Sequence, residues 1–202
     1  MKKFLRNELL ISFLALAVLV PIPGRGQSIH VDASPSGKSA TAARLPAKDE
    51  VLQWEAVVDA TLDDVWDAWT TKKGMQSWMA AVAEIELKVG GVMMTSYSAN
   101  VRIGDDATIV QSILSFEPKR MISFRLIKAP ADARFAQITE NAWYVLYLSS
   151  VDEKHTQVRL ASMGWGEGPE WDKAREFFKA GNAFVMKKLQ AHFVAKPASE
   201  EK

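Results

Sequence analysis

Acidic and histidine side chains are the groups of this chain that could carry acid–base or metal chemistry. Glu84 and Glu86 alternate along one strand-like segment, so both carboxylates would lie on the same face. Antiparallel sheets with one wet face produce such pairs routinely, and the sequence shows no positioned partner for them. The three histidines, His30, His155 and His192, share no spacing typical of metal ligands. We therefore predict no catalytic residues and no metal site.

A group of glycines follows the last predicted strand, in the segment Gly164-Trp165-Gly166-Glu167-Gly168. A dinucleotide-binding loop needs a longer glycine pattern between a parallel strand and a helix. This segment is too short and follows a strand of an antiparallel sheet. It predicts a mobile loop at the rim of a cavity, with Trp165 as a residue that could close over it. No cofactor is predicted.

The composition sets the class of protein. With 202 residues, 48% of them hydrophobic, the chain suits one globular domain with extensions. The formal charge of +1 provides no strong field toward nucleic acid or an anionic membrane. The chain has no cysteine, which excludes disulfides, thiolate zinc sites and a cysteine nucleophile. A small molecule or another protein is therefore the expected partner.

The N-terminus has the pattern of an export signal. A positive start (Lys2, Lys3 and Arg6) precedes a largely apolar run over residues 9–20, which is shorter than the ~20 residues of a membrane-spanning helix. Gly24 and Gly26 then supply the small residues that signal peptidase prefers. The sequence predicts a cleavable signal peptide over residues 1–26 and a periplasmic or secreted protein without a stable membrane anchor. Retention of the segment as an anchor is the alternative.

The rest of the chain divides by composition. Residues 27–49 are rich in Ser, Ala, Pro and Gly and lack apolar periodicity, which is typical of a flexible linker. The folded domain is predicted over residues 50–194. Residues 195–202 would form a short solvated tail.

Within the domain, one strand, one Trp-bearing helix, a run of strands and a long helix follow each other. Thr61 can cap the first helix, and Gly74 would end it. Short turns, among them a two-residue hairpin at Gly90-Gly91, connect the later strands and favour an antiparallel meander. The strands are predicted at residues 51–60, 83–89, 92–99, 108–117, 121–127, 142–150 and 156–163, and the last helix at 169–194. This order predicts an α+β domain in which a curved antiparallel sheet wraps around the C-terminal helix, with a hollow between them.

One strand is apolar on both faces, in the run Trp143-Tyr144-Val145-Leu146-Tyr147-Leu148. An antiparallel strand normally exposes one face to water. Either a helix covers the outer face, or Trp143, Val145 and Tyr147 form a contact surface, which could support a homodimer.

Several stretches resemble the START-like superfamily often called SRPBCC, and within it the homologues of the activator of the heat-shock-protein-90 ATPase. The resemblance spans roughly residues 52–193. The stretches that carry it are Ala60-Thr61-Leu62-Asp63-Asp64-Val65-Trp66, Trp78, Gly90-Gly91, the Pro118 turn, Thr156-x-Val158-x-Leu160, Gly164, Gly168-Pro169-Glu170-Trp171 and Leu189. Their order and spacing are specific for the fold and not for a function.

This resemblance implies a helix-grip fold whose internal cavity binds hydrophobic molecules; a few members cyclise or hydrate their ligands. It places Tyr144, Leu146 and Leu148 inward. The chain departs from many relatives in carrying Asn182, where they have a Trp just after the glycine of the last helix. The chaperone-activating role does not suit an exported protein, because the ATPase is cytosolic.

The leading prediction is non-catalytic binding of a small hydrophobic or amphipathic ligand outside the cytoplasm, in the cavity between sheet and helix. The residues predicted to line the cavity are Tyr97, Tyr144, Leu146, Phe178, Gly181 and Val185. A cyclase or hydratase using the same cavity is one alternative, and it would need a buried acid or base. A protein-interaction module using the outer face of the sheet is the other.

Overall fold

A computed structural model describes residues 50–131, 133–136 and 141–194 of the chain. The predicted signal peptide (1–26), linker (27–49) and tail (195–202) lie outside the described residues. They remain predictions.

Seven strands form one antiparallel sheet. Most neighbours in the sheet follow each other along the chain, and the first strand pairs with the last. The strands are β1 (Leu52–Val58), β2 (Val82–Ile85), β3 (Val92–Ser96), β4 (Ile109–Glu117), β5 (Met121–Lys128), β6 (Trp143–Ser150) and β7 (Thr156–Met163). Their order across the sheet is β1-β7-β6-β5-β4-β3-β2. The meander over β2–β7 is confirmed, and β1 closes it by pairing with β7.

The turn between β2 and β3 differs from the predicted two-residue hairpin. β2 ends at Ile85, and the backbone N–H of Glu86 still donates to the carbonyl of Val92, so the loop is longer than two residues. Gly90 and Gly91 instead exchange backbone hydrogen bonds with Ile113 of β4. Gly90 has a φ of 78°, in the left-handed region that glycine adopts without strain.

Two short helices, α1 (Leu62–Thr70) and α2 (Lys72–Trp78), follow β1. The Thr61 hydroxyl caps α1 by accepting from the backbone N–H of Asp64, as its position predicts. Gly74 does not end α1, which stops at Thr70, but lies inside α2. A Cβ at Gly74 would collide with the backbone of Asp67 and Ala68, so glycine is needed where the two helices meet. The predicted role of Gly74 was therefore wrong.

The long helix α3 (Pro169–Val194) lies against β1 and packs on the concave face of the sheet. Two side-chain bonds fix its direction along that strand. The Trp54 indole N–H donates to the carbonyl of Lys179 (3.0 Å), and the Gln190 amide donates to that of Val57 (2.9 Å). This arrangement confirms the α+β helix-grip architecture.

The core fills the space between sheet and helices. Inward residues of the strands, such as Ile113, Phe124 and Leu146, form one cluster with Val185, Met186 and Leu189 of α3. We call the helix-facing side of the sheet the inner face and the opposite side the outer face. Alternation along each strand decides which residues lie on which face.

Candidate functional site

The part of the core that faces α3 is aromatic and apolar, and we call it the aromatic floor. Tyr144 of β6 lies opposite Phe124 of β5, and their rings stack with centroids 5.7 Å apart. Ile113 continues this row onto β4, and Leu146 lies in the neighbouring row. All four side chains are buried on the inner face.

The structure places the predicted cavity residues as follows. Tyr144 and Leu146 are buried on the inner face, and Leu148 is too, as the resemblance implied. Gly181 and Val185 are buried on the side of α3 that faces the sheet. Contact of these side chains with a ligand stays a prediction.

Two other predicted residues lie at the edges of this part of the core. Phe178 is half-buried and contacts Trp165 (ring centroids 5.6 Å apart) near the first turns of α3. Tyr97 follows β3, is half-buried and packs against the core. Their ligand contacts likewise stay predictions.

Four fully buried polar residues were not predicted, and we call them the interior polar residues: Thr95, Gln111, Ser162 and Asn182. The hydroxyls of Thr95 and Ser162, the Gln111 carbonyl oxygen and both amide atoms of Asn182 have no hydrogen-bond partner among the described residues. Buried side-chain polar atoms usually have a partner, in protein or in ordered water. Several such atoms in one interior therefore indicate that something other than the described protein hydrogen-bonds there.

Strand register shows where the three sheet residues lie. Gln111 pairs with Met93 and Thr95 pairs with Ile109, so Thr95 and Gln111 are diagonal neighbours on the inner face. Ser162 pairs with Tyr144, at the other side of the aromatic floor. The polar positions therefore flank an apolar centre.

Asn182 faces the sheet from α3. It follows Gly181 on the buried stripe of the helix that includes Val185 and Leu189. Asparagine is a poor residue for a helix interior, and a buried amide without partners adds a desolvation cost. Helix propensity therefore does not explain asparagine at this position.

The ionisable groups in this interior are phenols held neutral. Burial raises the pKa of Tyr144 and of Tyr97 far above the usual tyrosine range. The neighbouring Ser162 hydroxyl offsets a small part of this effect on the pKa of Tyr144. Both phenols are therefore uncharged at neutral pH.

An aromatic cluster lies against the first turns of α3. Its rings are those of Trp165, Trp171, Phe177, Phe178 and Phe135, with neighbouring centroids 5.3–6.2 Å apart. Trp165 is fully buried in it and is not an exposed lid residue, so the prediction of a closing residue was wrong. A Cβ at Gly166 would collide with the Trp171 ring, and this close packing holds the glycine segment against the helix.

The groups first considered for catalysis lie on the surface. Glu84 pairs with Lys72 (3.5 Å) and Glu86 with Lys88 (2.7 Å), and all four side chains are about half exposed or more. His155 lies 2.8 Å from Asp152 in an exposed turn. No three His, Asp or Glu side chains converge within the described ranges of the chain.

Comparison with known proteins identifies the family. The model of the "Activator of Hsp90 ATPase homolog 1-like protein" family matches residues 59–193. The chain belongs to this family. No protein of curated function matches it at a significant level.

Solved structures show the same fold at low sequence identity. A Mesorhizobium loti protein is 17% identical with a TM-score of 0.56, over 73% of this chain and 99% of its own. The Aha1 dimer of Colwellia psychrerythraea is 15% identical with a TM-score of 0.51, over the same shares. A Nitrosomonas europaea protein is 14% identical with a TM-score of 0.53, over 73% and 96%. These likenesses establish the helix-grip fold and leave the ligand open.

One signal in the sequence could have identified the interior polar residues. Thr95, Gln111 and Ser162 each occupy an inward position of a strand whose other inward residues are mostly apolar. In the sequence, Asn182 is distinctive only as a departure from relatives. A polar residue at an inward position is unusual enough to be noted as a candidate contact.

Proposed function

We propose that this protein binds a small amphipathic molecule between the inner face of the sheet and α3, and that it does so outside the cytoplasm. The observation that carries the proposal is the set of buried interior polar residues without described partners. The resemblance to a superfamily of hydrophobic-ligand binders supports the same site.

The energetics favour an occupant with polar groups. Leaving one buried polar atom unpaired costs about 1–3 kcal/mol, and the interior polar residues present five such atoms. A bound molecule or ordered water that hydrogen-bonds to them removes this cost. The apolar floor of Phe124, Tyr144 and Ile113 would contact the hydrocarbon part of the same molecule.

Binding without catalysis suits the chemistry of the site better than a cyclase or hydratase reaction. General acid–base catalysis works best with a pKa near the operating pH. Tyr97 and Tyr144, the ionisable groups of the described interior, have raised pKa values and stay protonated. The exposed carboxylates and His155 lie elsewhere on the surface.

The proposed location rests on the sequence of residues 1–26. In the described part of the chain, no helix is both long and apolar enough to cross a membrane. We expect protein from the periplasmic or culture fraction of its own host to begin at Gln27. Intact mass measures this directly, and full-length protein confined to the cytosol would contradict export.

Binding is tested with Asn182→Trp, which places a large ring in the proposed site. We expect the fluorescence of N-phenyl-1-naphthylamine to rise when it binds the original protein and to stay low with the variant. Ala183→Trp is the matched control, because Ala183 is exposed on the next position of α3 and should leave binding unchanged.

Two results would overturn the proposal. One is a folded Asn182→Trp variant that binds the dye as well as the original protein. The other, which needs no variant, is native mass spectrometry of protein purified from its own host that shows no bound molecule, together with no dye binding.

A further inference from the structure

The interior polar residues differ in what they can accept and donate. The carbonyl oxygen of Gln111 can only accept a hydrogen bond, whereas the amide of Asn182 can both donate and accept. The hydroxyls of Thr95 and Ser162 do either. A ligand whose polar atoms only accept hydrogen bonds, such as an ester or an ether, leaves the Gln111 oxygen unpaired.

Among the described residues, buried charge is nearly absent from the domain interior. Arg175 is the buried charged residue of the described chain, and it lies nearer the start of α3. Its guanidinium donates to Asp172 (2.7 Å) and to the carbonyl of Gly166, and Glu50 lies 3.5 Å from its Nε. The carboxylates beside it already balance its charge. An ionised ligand in the interior would therefore be buried without a counter-charge, which is strongly unfavourable.

The polar positions also lie apart from each other. Thr95 and Gln111 lie on β3 and β4, whereas Ser162 lies on β7, and β5 and β6 separate the two groups. With a strand spacing of about 4.8 Å, the strands of Gln111 and Ser162 are roughly 14 Å apart across the sheet. The stacked rings of Phe124 and Tyr144 lie between the two groups and would be the apolar contact for the hydrocarbon part of a ligand.

We propose that the ligand is an uncharged amphipathic molecule with a hydrogen-bond donor, a hydroxyl or an amide, and that Gln111 and Asn182 select for it. This inference rests on the proposed function and adds the chemical class of the ligand. It is independent of which molecule the host supplies.

A set of ten-carbon probes with different head groups tests the class at neutral pH. The probes are 1-decanol, decanamide, methyl decanoate, decanoate and decylammonium, each measured by displacement of N-phenyl-1-naphthylamine. We expect the alcohol and the amide to bind about tenfold tighter than the methyl ester, because the ester provides no donor. Both ions should bind more weakly than the alcohol.

Substitutions then identify the residues that cause the preference for a donor head group. Gln111→Leu should reduce the ratio of alcohol to ester affinity toward one, without weakening ester binding. Gln157→Leu is the matched control, since Gln157 lies on the outer face of the same sheet and should keep the ratio unchanged. Asn182→Leu should lower amide affinity more than ester affinity.

The outcomes separate this inference from the proposed function. If the dye binds but decanoate or decylammonium binds tightest, or all head groups bind equally, the inference is wrong and the binding site stands. Equal affinities would show that the interior polar residues hold only water. If the dye does not bind at all, the proposed function itself fails. The ranking with the original protein decides the matter even if a variant does not fold.

Discussion

The two faces of the sheet differ in whether their polar side chains have partners. On the outer face, the hydroxyls of Ser115 and Ser123 bond to each other at 2.7 Å, and Arg159 lies over the Tyr147 ring at 4.0 Å. Gln157 and Arg159 also reach polar side chains of β1. On the inner face, Thr95, Gln111 and Ser162 have buried polar atoms without such partners.

Unpartnered polar groups on the inner face indicate a binding site there. Outer polar groups satisfy one another or water, so they need no ligand, even though a groove of about 570 Å³ runs between Glu55, Arg120 and Tyr147. The inner polar groups carry a cost that a folded protein avoids elsewhere. The indole nitrogens of Trp69 and Trp165 are also without a described partner, but only the inner face and α3 bring five such atoms to one side of the sheet.

The largest expected effect concerns the floor of the inner face. Phe124→Ala removes a ring that is 1% exposed and stacked on Tyr144, so the free energy of unfolding should fall by about 3–5 kcal/mol. Urea denaturation measures this. Ile127→Ala is the control on the same strand, because Ile127 is 52% exposed and should change stability by less than about 1 kcal/mol. Equal losses would mean that the two faces do not differ as described.

A smaller effect tests whether the helix leaves room beside Gly181. Against a tightly packed strand, Gly181→Leu would overpack the core and lower stability by about 1–3 kcal/mol. If Gly181 borders an open site, stability should hold or rise, since glycine costs about 1 kcal/mol in a helix interior, while dye binding falls. We expect the second result. A large loss of thermal stability would refute Gly181 as part of the cavity wall.

The contrast between faces also predicts a gain in stability. In ligand-free protein, Asn182→Leu replaces unpartnered polar atoms with apolar ones of similar size, so the free energy of unfolding should rise by about 1 kcal/mol. Gln157→Leu on the outer face should change it by less than about 0.5 kcal/mol. Destabilisation by Asn182→Leu would show that its amide is already paired, for example through ordered water.

The smallest effect concerns self-association through the outer face. The predicted stripe is interrupted, because Trp143 is 37% exposed whereas Val145 is only 6% exposed and Tyr147 lies under Arg159. We expect at most a weak dimer at high protein concentration, which Trp143→Ser abolishes in sedimentation velocity. A tight dimer that is indifferent to Trp143→Ser would place the interface elsewhere.

The architecture was predictable because local patterns decide it. Alternation along β1, the Thr61 cap and the apolar spacing of α3 each specify an element from a few neighbouring residues. Errors occurred where a distant contact decides. The sequence predicts a helix end at Gly74, but this glycine allows the close approach of α2 to α1. Gly90 and Gly91 pair with Ile113 of another strand.

The sequence by itself thus determined the order of elements, the α+β class and the apolar side of the last helix. Only the tertiary structure decided that Gln111, Ser162 and Asn182 lie buried in one interior without partners. These residues are far apart along the chain, and whether a buried amide is satisfied depends on strand register and on the rotation of α3. Neither of these is encoded in a local pattern, because both result from packing the whole domain.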